Sequence, residues 1–150
     1  MTVVVTGQCA SSCASYIFTA AKHKHIEPKA FVMFSAHQNY QDFVQTITQL
    51  SEKGQTSGDA ALSDDEKRKL YFGEKWVGLE KNYFTKIGVD MRITRAGYVS
   101  GRSVSHWLLT GKRMAEFGVS NITLPDNYAS QEYCDGMKLS GFVRFDAQCL

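Results

Sequence analysis

The chain has 150 residues, 43% apolar and 12% aromatic, which is enough for one packed core and excludes an intrinsically disordered polypeptide. Seventeen Lys+Arg against fifteen Asp+Glu leave a net charge of +2 in short mixed clusters, so neither nucleic acid nor an anionic membrane is the expected partner. No apolar run approaches the roughly 20 residues of a membrane span, no export signal opens the sequence, and two prolines, twelve glycines and no repeat exclude a linker-rich chain.

Thr2-Val3-Val4-Val5-Thr6 is β-branched throughout and predicts a strand running into Gly7. A continuous run of this kind suits the buried interior of a parallel sheet, so its neighbours are expected from sequence ahead of Met1. Ser11, Ser12, Cys13, Ala14 and Ser15 mark a turn, and residues 16–21 continue as helix-compatible sequence. A basic loop, Lys22-His23-Lys24-His25, and then Ile26-Glu27-Pro28 lead to a second strand over 30–34 that ends at Ser35-Ala36-His37. Strand, helix, strand in this order implies parallel strands with a right-handed crossover.

Over 39–50, Phe43, Val44, Ile47 and Leu50 recur at helical spacing and predict an amphipathic helix, followed by a polar loop over 53–61. Ser63-Asp64-Asp65-Glu66 has capping-box spacing, Leu70, Val77 and Phe84 repeat at seven-residue intervals, and Gly88 is placed to end that helix. Residues 91–94 read as a short strand, 104–117 as a helix through Trp107, Leu108 and Met114, and 119–124 as a strand. The segment 128–150 reads as an irregular tail with a last strand at 141–145.

A serine on a sharp strand-to-helix turn projects its hydroxyl from the sheet edge, beside helix amides that can stabilise an oxyanion. Ser11 and Ser12 occupy that turn, and both residue types are also ordinary turn and helix-start residues. His37 ends the next parallel strand, and ligands of open α/β sheets bind beyond the carboxyl ends of strands. His37 is therefore expected at the same edge as Ser11 and Ser12, where a Ser–His pair can share a site.

Gly7-Gln8-Cys9-Ala10-Ser11-Ser12 resembles the nucleophile segment of the Clp protease proteolytic subunit (ClpP), and residues 31–38 resemble its strand ending in the catalytic His-Gln. The interval from Ser11 to His37 is close to that family's, Ile26-Glu27-Pro28 matches the loop between, and Met114-Ala115-Glu116-Phe117-Gly118-Val119 resembles its segment before a later strand. Within the wider ClpP/crotonase superfamily, the Cys-Ala-Ser-x-Cys form is most similar to a poorly characterised, mostly extracytoplasmic bacterial group. The resemblance implies an α/β fold, a β-α-β spiral with a parallel sheet flanked by helices. Residues 1–127 would form the C-terminal part of the domain, with its N-terminal strands ahead of this chain.

It also implies a serine hydrolase, a peptidase or other acyl hydrolase, working through an acyl-enzyme. Ser11 would be the nucleophile, His37 the base and the Ser12 backbone N–H an oxyanion donor; no cofactor is implied. Homo-oligomers are common in the superfamily, and a periplasmic location would follow from an upstream signal peptide. The family's second oxyanion donor, a Gly-Gly turn, would precede Met1. Its histidine-orienting Asp falls at Arg102, beside Ser103, Ser105 and His106, with no carboxylate from Arg95 to Met114. Asp90 would serve only through a rearranged segment, and a Ser–His dyad helped by a serine or asparagine is an equal expectation. The alternative is a catalytically inactive binding or assembly module of the same fold; an acyl-CoA enzyme of crotonase type is more distant, since it leaves the Ser–His pair unexplained.

Four cysteines leave several readings open. Cys9 and Cys13 flank the serine and can be bridged, simply buried, or, for a thiol at the helix start, reactive. Cys134 and Cys149 would close a loop stabilising the chain by about 3 kcal/mol in an oxidising compartment. His23 and His25 would bind a metal only with a further ligand from elsewhere and read as a solvated basic turn, so no metal site is expected; His106 reads as a half-buried helix residue.

Overall fold

A computed structural model describes residues 1–35, 40–58, 61–98, 106–139 and 147–149. They form a mixed α/β structure of two compact units, one of Met1–Ala36 with Phe84–Leu150 and one of His37–Tyr83.

In the first unit the opening β-branched run forms a strand that stops short of the Ser11 turn, and a separate strand leads into the turn. Strand β1, Thr2–Val5, ends before Thr6 and Gly7, and β2, Gln8–Ala10, enters a different sheet. β1 is an edge strand with Val4 exposed, not the buried interior strand its composition predicts. Its parallel partner is β3, His23–Ile26, in the stretch expected to be a basic loop. Strand formation there follows from side-chain alternation hidden by residue type: Lys24 and Ile26 are 4% and 1% exposed, whereas His23 is exposed and His25 half-buried. The Lys24 stem packs inward while its Nζ donates to Ala21 O at 2.6 Å and Ser120 O at 3.0 Å, and burial lowers its pKa. β6, Ile122–Thr123, lies parallel to β3 and completes the order β1-β3-β6.

The second sheet has the order β2-β4-β5-β7, with β4 at Phe31–Ser35, β5 at His106–Leu108 and β7 at Ala147–Cys149. β2 and β4 are parallel, so the strand beside residues 31–33 is β2 and not the 2–5 run, which pairs with β3; β4 and β5 are antiparallel, so this sheet is mixed. Residues 104–117 are therefore not one helix. Trp107, Leu108 and Leu109 are all completely buried, which a central strand accommodates and a one-sided helical stripe does not. Thr110 then caps a short helix, α3 at Gly111–Glu116, through Oγ1 to the Arg113 amide at 3.2 Å.

Residues 91–94, expected as a strand, open a 3-10 helix, Met91–Tyr98. The Asp90 carboxylate accepts from the Arg92 amide at 2.8 Å and the Asp90 carbonyl from the Ile93 amide at 3.0 Å, which starts a helical turn. Asp90 is anchored by its own amide on Phe117 O, next to Gly118, whose φ of +85° and close approach to the Gly88 carbonyl leave no room for a side chain.

The tail is ordered where it is described: helix α4, Gln131–Leu139, follows Tyr128, which is 4% exposed. Its phenol accepts from the Val32 amide at 2.9 Å and donates to the Val32 carbonyl at 3.3 Å, so a side chain satisfies β4 where β5 does not reach. Burial raises the Tyr128 pKa strongly, which keeps this donor protonated. The expected strand at 141–145 lies outside the described residues.

The second unit is a helical hairpin. Its first helix, α1 at Tyr40–Ser57, runs well into the stretch expected as a polar loop. The next, α2 at Asp64–Ile87, starts with the expected capping box: the Ser63 amide donates to Glu66 Oε2 at 2.8 Å and the Glu66 amide to Ser63 Oγ at 3.3 Å. Lys53, then Ser63, pull the Glu66 carboxyl down to about 2. Phe43 meets Trp76 edge to face at 5.5 Å, and a side chain at Gly73 would collide with Ile47, so the glycine allows close packing. Within the first unit α2 ends at Gly88, with φ +70°, after Phe84, which is 1% exposed and packs on Tyr16.

Candidate active site around Ser11

The turn at Ser11 is built by two neighbours pulling in different directions. Cys9 and Ala10 pair in parallel with Val32 and Met33, and the Ser11 amide extends that ladder with a 2.9 Å bond to Met33 O. The Ser11 carbonyl already accepts from the Ser15 amide at 2.9 Å, the first bond of the following helix. One residue thus belongs to the sheet by its N–H and to the helix by its C=O. It changes direction with φ +56°, in the left-handed region that disfavours a side chain. Ser11 is exposed.

Two features hold the turn. Cys9 and Cys13 are joined by a disulfide with Cα atoms 5.2 Å apart, which selects the bridged reading among those the sequence leaves open. The helix beyond is wound as a π-helix over Cys13–Phe18, a local widening often found at functional sites, with Ala14 and Phe18 completely buried and Thr19 Oγ1 donating to Ser15 O at 2.6 Å. Ser12 stands at the helix start with φ −60°, and its side chain makes no capping bond. Its backbone amide stands at the N-terminus of this helix.

His37 lies outside the described residues, as do Arg102, Ser103 and Ser105. Ser35, two positions before His37, ends β4 and pairs with His106 at the start of β5. The strand order β2-β4-β5 brings His106 to the sheet edge where Ser11 leaves β2, a placement the helical reading of 104–117 hid. A short apolar run at Trp107-Leu108-Leu109, bounded by His106 and Thr110, was the available strand signal. His106 is half-buried, and burial lowers its pKa, which favours the neutral imidazole.

Asp90 is committed elsewhere: both carboxylate oxygens engage Arg92, whose guanidinium lies 2.6 Å away and holds the Asp90 carboxyl below its ordinary value. Cys134, on α4, is bridged to Cys149, on β7, with Cα atoms 6.5 Å apart. His23 and His25 sit on the other sheet. Among the described residues no cluster of three or more His, Cys, Asp or Glu could hold a metal, and no helix is long and apolar enough to cross a membrane. Comparison of the chain with protein-family models, curated proteins and solved structures finds no match.

Proposed function

We propose that the protein is a serine hydrolase of the ClpP/crotonase-like type, cleaving peptide or other acyl substrates through an acyl-enzyme. The observation that carries this reading is Ser11: exposed, left-handed at φ +56°, and bracketed by the Cys9–Cys13 bridge at a strand-to-helix turn. In the proposed reaction Ser11 Oγ adds to the substrate carbonyl carbon as its proton passes to His37. The tetrahedral oxyanion is met by the Ser12 N–H, and collapse expels the leaving group, which takes the proton from His37. Water, deprotonated by the same imidazole, then releases the acyl group and restores Ser11.

The two disulfides favour an oxidising, extracytoplasmic compartment for this enzyme, the periplasm in a bacterium. Assembly into homo-oligomers accompanies the reading. The other reading, a non-catalytic binding or assembly module, is favoured by the engagement of Asp90, the carboxylate considered for orienting a catalytic histidine, with Arg92.

A fluorophosphonate probe separates the two. It is expected to label the full chain at Ser11, with Ser11→Ala abolishing and His37→Ala suppressing the reaction while circular dichroism is unchanged. A folded chain that takes no label is the binding module and not the hydrolase.

A further inference from the structure

We propose that His23 and His25 form a two-imidazole site for a divalent transition-metal ion, Cu2+ ahead of Ni2+ and Zn2+, on the open face of the β1-β3-β6 sheet. Burial alternates along β3, with Lys24 and Ile26 turned inward, so the two histidines share the outward face. Residues two apart on a strand are separated by about 6.6 Å along it, a span that two imidazoles close around one ion at metal–nitrogen distances of about 2.0–2.1 Å.

The same face is hollowed. An open cavity of about 350 Å3 is lined by both histidines together with Thr2, Asn121 and Thr123. Thr2 pairs with His23 and Thr123 with His25, so oxygen donors flank the imidazoles from both neighbouring strands. Among the described residues no carboxylate lines this cavity. Ca2+ and Mg2+, which need hard anionic oxygens, are disfavoured, whereas imidazole with neutral oxygens and water suits Cu2+, Ni2+ and Zn2+.

Two details remove obstacles to cation binding. The Lys24 ammonium, although its residue borders the cavity, is tied to the Ala21 and Ser120 carbonyls. All four cysteines are bridged, so no thiolate competes for a soft metal. The backbone under the histidines is fixed on both sides, by the β1 ladder and by the Lys24 amide on Asn121 O at 2.9 Å, so the pair is pre-organised. Two protein nitrogens leave further coordination positions for water or a small exogenous ligand.

The test is a Cu2+ titration of the full, disulfide-intact chain in a non-coordinating buffer, followed by calorimetry and by electron paramagnetic resonance. One ion per chain is expected, with hyperfine splitting from two equatorial imidazole nitrogens. His23→Gln and His25→Gln should each weaken binding about tenfold or more, and the double variant should lose the site. Zn2+ and Ni2+ should compete with Cu2+, and Ca2+ and Mg2+ should not. Wild-type affinity in the double variant overturns the proposal, as does a wild-type spectrum without two coordinated imidazoles. Should a variant depart from wild type in circular dichroism, the nitrogen count on the unmodified chain decides.

Discussion

Replacing Ser11 with glycine separates the backbone of the turn from its hydroxyl. A side chain at φ +56° carries a left-handed penalty of about 1–2 kcal/mol, which glycine escapes. Glycine in turn loses about 0.5–1 kcal/mol through the greater freedom of its unfolded state, so the net expected gain is about 0–1.5 kcal/mol, centred on about 0.75 kcal/mol. For a chain of 150 residues each kcal/mol moves Tm by about 2–4 °C, giving a rise of about 1.5–3 °C at that centre in Ser11→Gly. Ser12→Gly is the control, because Ser12 already has φ −60° and glycine there brings only the entropic loss. Ser11→Ala should melt near wild type, since alanine keeps the penalty. The assay is a set of thermal melts by circular dichroism with fluorophosphonate labelling of the same samples: Ser11→Gly should be both the most stable and unreactive. If Ser11→Gly melts no higher than Ser12→Gly, the turn is not strained at Ser11 and the inference from strain to nucleophile loses its footing.

Three further perturbations probe what supports this turn. Tyr128→Phe removes the phenol that serves both polar groups of Val32, the cross-strand partner of Cys9, and should destabilise by about 1–3 kcal/mol in chemical denaturation; a loss no larger than in Tyr133→Phe, where a half-buried hydroxyl donates to Ala30 O, would contradict it. Cys9→Ala/Cys13→Ala opens a very short loop and should lower stability by about 2 kcal/mol and slow Ser11 labelling severalfold; unchanged labelling would show that the bridge does not hold the serine. His106 has a folded pKa below the ordinary 6.5, so below that pH the unfolded chain takes up a proton the folded chain refuses. The difference in Tm between wild type and His106→Gln should therefore shift against wild type as pH falls through about 6.5, level off beneath the folded pKa, and be flat above about 7; a pH-independent difference would show that His106 is not desolvated.

Where local signals and tertiary demands coincide, the sequence was readable. The Ser63–Glu66 capping box and the Gly88 stop rest on short-range chemistry, and both are present, whereas the strand beside residues 31–33 is 8–10 and not the 2–6 run that its composition favoured. The Ser11 turn was legible for the same reason. The misreadings share a different cause, a residue type standing where tertiary context assigns it an unusual role. Lys24 occupies an inward strand position, so β3 lacked an apolar alternation and read as a loop. Trp107 to Leu109 are buried on every side, so their run matched helix and strand equally, and the sheet decided. Asp90 turned an apparent strand into a helical turn through one side-chain bond, which spacing alone does not reveal.

Left-handed backbone is not peculiar to Ser11, since Lys29, Asn121 and Ala129 also have positive φ. The comparison nevertheless isolates it. Asparagine tolerates this region through its short polar side chain, and neither lysine nor alanine has a hydroxyl nucleophile. The chain does use glycine when a left-handed residue is needed simply to end a helix or clear a neighbour, at Gly88 and Gly118. At Ser11 the same geometry is held by a ladder bond to Met33, a helix bond from Ser15 and a disulfide spanning the turn, three constraints where glycine would need none. An over-determined turn that keeps an exposed hydroxyl on a left-handed backbone is the feature on which the proposed nucleophilic role of Ser11 rests.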